Sequence, residues 1–244
     1  MLRLEGGVCS ICGDRLISNL ECSSPDGGAK CGLCRRIEPL FTRAVAYGSF
    51  EGGLRELIHL LKYSGVRPAA NVLGRMLAEA IAELQPASEG PIAMIPVPVY
   101  RGKLRQGQFN HAEIIARFAG KFQGKLASFR LCPELLEKTR DAPSQSGLTS
   151  HQRRQNVRGA FRVTRREAVK GREVLVVDDV YTTGATVSEC ARVLRRAGAA
   201  KVWVATVART MKSSEQRVKV ELPSQAFEGE EREEKVRLAR AAAG

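Results

Sequence analysis

Hydrophobic positions in this chain fall into short apolar runs that alternate with longer stretches of helical spacing. The clearest run, Val174-Leu175-Val176-Val177, has the length and β-branching of a strand buried on both faces, and it stops at two carboxylates, Asp178 and Asp179. A small, hydroxyl-rich stretch follows, Val180-Tyr181-Thr182-Thr183-Gly184-Ala185-Thr186. From Val187 to Leu194 apolar residues then recur at helical spacing until Gly198 ends them. Upstream, the pattern predicts a short strand over 44–47, a turn over 48–53, an amphipathic helix over 54–63 and a second helix over about 69–84. Ile92-Ala93-Met94-Ile95-Pro96-Val97-Pro98 predicts a strand whose prolines end its pairing and stiffen the exit, residues 99–108, which is rich in Arg and Lys. Residues 110–122 predict a helix with Ala112, Ile115, Ala116 and Ala119 on one face, and Leu135-Leu136 opens a short strand. Residues 138–158 carry Arg140, Arg153, Arg154 and Arg158 without apolar periodicity, the mark of a functional lid or a disordered insert. Strands and helices in this succession predict an α/β fold, a parallel sheet flanked by helices.

The turn between the strand at 174–177 and the helix at 187–194 concentrates the chemistry. Free backbone N–H groups and the positive end of the helix dipole favour a phosphate there. Thr182, Thr183 and Thr186 add hydroxyl donors, and Gly184 lets the backbone approach closely. Asp178 and Asp179 precede the loop, where paired acceptors suit two neighbouring sugar hydroxyls one ribose away from a 5′-phosphate. An ordinary strand-turn-helix with capping aspartates is the alternative. A Walker A loop would need its Lys and a dinucleotide fingerprint its G-x-G-x-x-G, and neither is present.

With 244 residues, 43% of them hydrophobic, the chain has room for one medium α/β domain and a small appendage. No apolar stretch approaches bilayer-spanning length and Met1-Leu2-Arg3-Leu4-Glu5 lacks the apolar region of a signal peptide, so the expected compartment is the cytoplasm. The net charge of +13 favours polyanions such as nucleic acid, phosphorylated metabolites or anionic lipid, and equally fits solvated Lys and Arg faces. Near the amino terminus, Cys9-Ser10-Ile11-Cys12 and Cys31-Gly32-Leu33-Cys34 form two C-x-x-C knuckles at the spacing of a four-cysteine zinc site. A module this small and poor in aromatics does not fold on apolar burial alone. Disulfide pairing is the alternative and needs an oxidising compartment. Cys22 has no C-x-x-C partner and reads as a bystander, while Cys132 and Cys190 sit in apolar contexts as ordinary thiols. His59 and His151 offer no triad or metal spacing. The expected organisation is a zinc ribbon over 1–40, an α/β domain over 41–211 and a charged tail over 212–244, expected to be disordered or a frayed helix.

All thirteen positions from Val174 to Thr186 resemble the phosphoribosyl-pyrophosphate (PRPP) signature of type I phosphoribosyltransferases. The resemblance implies that Asp178 and Asp179 bind the ribose 2′- and 3′-hydroxyls, that Thr182, Thr183, Gly184, Ala185 and Thr186 wrap the 5′-phosphate, and that Mg²⁺ arrives with the pyrophosphate. It also implies pyrophosphate contacts at Arg101, Lys103 and Arg105, for which a solvated basic loop is an equal alternative. Residues 138–158, with Arg153, Arg154 and Arg158, match the flexible loop that closes over bound PRPP and excludes water. In order along the chain, the four-cysteine ribbon, Ile95-Pro96-Val97-Pro98, Phe109-Asn110 followed by Ala112-Glu113, Gln152-Arg153-Arg154-Gln155-Asn156-Val157-Arg158-Gly159-Ala160-Phe161 and the PRPP loop resemble the ComF (ComFC-like) competence family as far as about Ala208. The chain departs at Gly107-Gln108-Phe109-Asn110-His111, where the family usually reads Arg-Gly-Phe-Asn-Gln, so an arginine is missing and His111 stands as surface residue or ligand. Two functions follow. One is a PRPP-binding protein of DNA uptake and natural transformation that contacts single-stranded DNA alongside a competence helicase. The other is an active phosphoribosyltransferase of nucleotide or cofactor metabolism with no DNA role, its acceptor unnamed by the sequence. No base-recognising hood discriminates them.

Overall fold

The computed structural model describes residues 7–16, 28–64, 67–84, 86, 90–122, 129–141 and 149–211. Along them run α1 (Gly32–Ile37), β1 (Arg43–Ser49), α2 (Gly52–Ser64), α3 (Arg67–Ile81), β2 (Ile92–Pro96), α4 (Arg101–Arg105), α5 (His111–Phe122), β3 (Phe129–Leu131), β4 (Leu136–Lys138), α6 (Ser150–Val157), β5 (Phe161–Val163), β6 (Glu173–Tyr181), α7 (Ala185–Arg196) and β7 (Lys201–Arg209). Five strands form one parallel sheet in the order β1-β7-β6-β2-β3, and β4 pairs antiparallel with β5 beside it. The chain steps outward from β2 to β3 and in the opposite direction from β6 to β7, so the order reverses between β2 and β6. Loops that diverge at such a switch point leave a crevice at the carboxyl edge of the sheet.

The pleat of β6 divides the core. Leu175 and Val177 face a layer built from α2, α3 and α5, while Val174 and Val176 face α7, the β4–β5 hairpin and the cysteine ribbon. Helix α5 buries Ala112, Ile115, Ala116 and Ala119, the face its spacing predicts. Asn110 Oδ1 caps it by accepting from the Glu113 N–H at 3.2 Å. The ribbon is fastened to the sheet by the Ala44 N–H, which donates to Ile11 O at 2.6 Å.

Several elements differ from the expected ones. The basic exit after β2 is the short helix α4 rather than an open loop, because Tyr100 O accepts from the N–H groups of Lys103 and Leu104. Within the stretch 138–158, Thr149 and Gln152 form a capping box that starts α6 in a segment without an apolar stripe. Residues 142–148 of that stretch, Cys22 and the tail 212–244 lie outside the described residues. Strands β3 and β7 join the sheet where no strand is expected. No described helix is long and apolar enough to cross a membrane.

Candidate functional site

At the carboxyl edge, β6 carries Asp178 and Asp179 out of the core beside its last apolar residues. Adjacent strand residues point to opposite faces, so the two carboxylates part company. Asp179 turns toward α2, where Lys62 Nζ lies 2.6 Å from its Oδ2. Burial works against the charge on Lys62, but Asp179 outweighs it and holds the ammonium above its ordinary pKa. His111, the first residue of α5, is held below its ordinary value by burial, with the Asp179 charge acting in the other direction. Asp178 turns toward the α7 side, within electrostatic reach of Cys190 and Lys138. Its Oδ1 accepts from the Asp179 N–H at 3.0 Å, and burial followed by the charge of Asp179 pushes its pKa up to about 7. The edge thus holds one carboxylate clamped by an ammonium and a second that titrates near neutrality.

The loop that follows is shaped by Tyr181 and Gly184. Gly184 has φ 73°, the left-handed region, and a Cβ there would collide with the Tyr181 hydroxyl, so only glycine fits at the start of α7. Thr183 Oγ1 accepts from the Ala185 N–H at 3.4 Å, and Thr182 Oγ1 accepts from Arg153 Nη1 at 3.2 Å. Arg153 on α6 is therefore brought to the loop from 29 residues away. Helix α6 is anchored behind it: Arg140 Nη2 donates to Asn156 O and Arg158 O, both at 2.9 Å, and the Gly159 N–H donates to Glu189 Oε1 at 2.6 Å. Arg154 and Arg158 are exposed. Of the basic exit, Arg101 pairs with Glu137 at 3.3 Å and Lys103 with Asp141 at 3.1 Å, whereas Arg105 has no partner among the described residues.

Cys9, Cys12, Cys31 and Cys34 are buried, and their Sγ atoms all lie within 4.8 Å of one another. Four thiolates on zinc at about 2.3 Å require sulfur–sulfur edges of about 3.8 Å. Cys12 Sγ and Cys31 Sγ stand 3.7 Å apart, so the donor set fits a metal such as zinc, and none of the four is in a disulfide. Beside them Arg209, the last residue of β7, is 4% exposed. Its guanidinium donates to Cys12 O, reaches Cys12 Sγ at 3.6 Å and Asp14 Oδ1 at 3.7 Å, and lies 4.3 Å from the centroid of the Tyr181 ring. One cation therefore touches both the cysteine cluster and the residue that shapes the hydroxyl-rich loop.

Residues 131–234 match the phosphoribosyl transferase domain family. DNA utilization protein YhgH of Escherichia coli O6:H1 (strain CFT073) is 30% identical over 214 residues, 84% of this chain and 91% of the relative. The chain belongs to the YhgH and competence protein F family. Competence protein F of Haemophilus influenzae is 27% identical over 216 residues, again 84% of this chain and 91% of the relative. Among solved structures, that of the allosteric regulatory enzyme of purine biosynthesis is 26% identical and covers 58% of this chain and 26% of its own, with a TM-score of 0.34.

Relative to the ComF pattern, the departure at Gly107-Gln108 falls in the turn after α4, where Gly107 has φ 82°. His111 is neither a plain surface residue nor isolated, since it is half-buried near Asp179 and Lys62. Lys62, Arg209 and Glu189 escape a reading by motif. Lys62 sits in the last turn of an amphipathic helix, and Arg209 ends an apolar run much as Asp178 ends the run of β6. A charge at the carboxyl end of a buried strand was the available signal for Arg209.

Proposed function

We propose that the crevice between the ends of β2 and β6 binds PRPP, with Mg²⁺ carried on the pyrophosphate, in a protein of DNA uptake and natural transformation that contacts single-stranded DNA. The observation that carries this reading is the convergence, at a switch point, of Asp178 and Asp179, the threonine-rich start of α7 and the guanidinium of Arg153 on Thr182. In this reading the free N–H groups before α7 and the hydroxyls of Thr182, Thr183 and Thr186 hold the 5′-phosphate, and the two aspartates accept from the ribose hydroxyls. Lys62 offsets the charge of Asp179, so an anionic ligand meets a less negative edge. Arg101 and Lys103 would leave Glu137 and Asp141 for pyrophosphate, which costs little because such exposed pairs contribute at most about 1 kcal/mol. Arg105, Arg154 and Arg158 complete the anion contacts at the mouth.

A zinc ion on the four cysteines closes the ribbon over 1–40 in this reading. The domain over 41–211 carries the site, and a competence helicase is the partner in the cytoplasm. The names of the relatives, DNA utilization protein and competence protein F, support the DNA-uptake context. Calorimetry with Mg²⁺ and PRPP tests the pocket. Replacing Asp178 and Asp179 by Asn removes charge-assisted acceptors worth about 1.5 to 3 kcal/mol each, so affinity should drop at least about tenfold. Equal affinity in the double variant refutes the assignment. Labelled PRPP incubated with bases, ammonia and single-stranded DNA identifies an acceptor if transfer occurs.

A further inference from the structure

Away from that crevice, at the amino edge of the sheet, a cavity of about 510 Å³ opens between β3, the start of β6 and the two 3₁₀ turns Pro133–Leu135 and Arg166–Ala168. Its floor is apolar, with Ala93, Leu131, Leu135 and Ala168, and its rim is cationic, with Arg130, Arg165 and Arg172. Arg130 is the register partner of Ala93, which sets it beside the floor, and Arg172 immediately precedes β6. Arg165 is held by Glu134, the one acid in the lining, at 2.6 Å. Arg130 and Arg172 are exposed and have no side-chain partner among the described residues. Arg166 Nε donates to Ala197 O at 3.3 Å, which draws the end of α7 and its exposed Arg196 against the same segment, where Glu167 is the only further acid.

We propose that this groove is a second contact site for single-stranded DNA, with phosphates on Arg130 and Arg172 and bases laid on the apolar floor. The inference rests on the DNA-uptake reading and adds a surface remote from the PRPP crevice. Two unneutralised guanidiniums favour a polyanion. An apolar floor between them favours a single strand, because a duplex keeps its bases stacked inside and offers only phosphates to a concave site. A sugar phosphate fits the groove less well, since the groove has neither the hydroxyl-rich loop nor the paired aspartates of the crevice.

Fluorescence anisotropy with labelled oligothymidylate, run on the full chain over a salt series, tests the proposal. The double variant Arg130→Ala, Arg172→Ala keeps the fold, because neither side chain is buried or paired, and Arg130→Glu with Arg172→Glu serves as a stronger second variant. Affinity should fall about tenfold for the alanine pair and further for the glutamate pair, and loss of two phosphate contacts should flatten the slope of log K against log salt by about 1.4. Binding by the parent protein that both pairs leave unchanged overturns the groove, while the DNA reading stands. A parent that binds no oligothymidylate overturns both. Equal competition by duplex DNA or by polyglutamate overturns the assignment to a single strand.

Discussion

Asp178 and Asp179 are neighbours in sequence that face opposite layers, and each therefore answers to a different partner. Asp179 is paid for by Lys62, whereas Asp178 has its pKa raised to about 7 by burial and by Asp179. The native protein then binds a proton at Asp178 that the unfolded chain releases near pH 4. Stability from this group is complete below about pH 4 and is lost as pH rises toward about 7, by on the order of 3 kcal/mol. Denaturant titrations should accordingly show Asp178→Asn more stable than the parent at pH 8 and close to it at pH 4. Ligand affinity runs the other way, since sugar hydroxyls need the ionised acceptor, and binding of Mg²⁺ and PRPP should strengthen from pH 6 to pH 8 in the parent only. A stability difference independent of pH would show that Asp178 titrates normally. The two aspartates and the four cysteines were legible in the sequence because their chemistry is local. Lys62 was not, since its partner lies 117 residues away by the numbering of the pair.

Among the elements, β6 and α7 follow their sequence patterns closely, because a fully apolar strand and a three-turn amphipathic stripe leave little choice. Helix α6 was read as an unstructured part of a lid, since it lacks an apolar stripe, yet its capping box and the anchors at Arg140 and Glu189 give it a defined start and end. Strand β3 spans 3 residues, too short to carry an alternation, and it exists through parallel pairing with β2. Helices α3 and α5 meet at Gly74, where a Cβ would collide with Phe118 Cβ and crowd the Ala119 N–H. Overpacking against backbone cannot relax through a rotamer, so Gly74→Ala should cost about 1 to 3 kcal/mol. Helix propensity alone favours the same substitution by up to about 1 kcal/mol. The sign of the measured change in chemical denaturation therefore decides whether packing or propensity governs this helix pair.

At the scale of the molecule, Arg209 ties the cysteine ribbon to the hydroxyl-rich loop through Cys12 on one side and the Tyr181 ring on the other. A metal-bound ribbon should hold about one equivalent of zinc under reducing conditions, and Cys31→Ser should lose most of it. Removing the metal by chelation frees Cys12 and with it Arg209. Hydrogen exchange in the segment containing Tyr181 and Gly184 should then rise along with that of the ribbon. Faster exchange confined to the ribbon would mean that the two parts are energetically separate, as the division at residue 40 assumes.

The sequence by itself determined the strand-loop-helix of the phosphate-type loop, the four-cysteine cluster, the buried face of α5 and the α/β class. Each depends on residue types at short, regular spacing. Tertiary structure alone decided which cations meet which anions: Lys62 with Asp179, Arg153 with Thr182, Arg209 with Cys12, and Arg130 beside Arg172 at the far edge of the sheet. The physical reason is that a parallel sheet gathers strand ends from distant parts of the chain onto one edge. Spacing in sequence carries no record of that gathering.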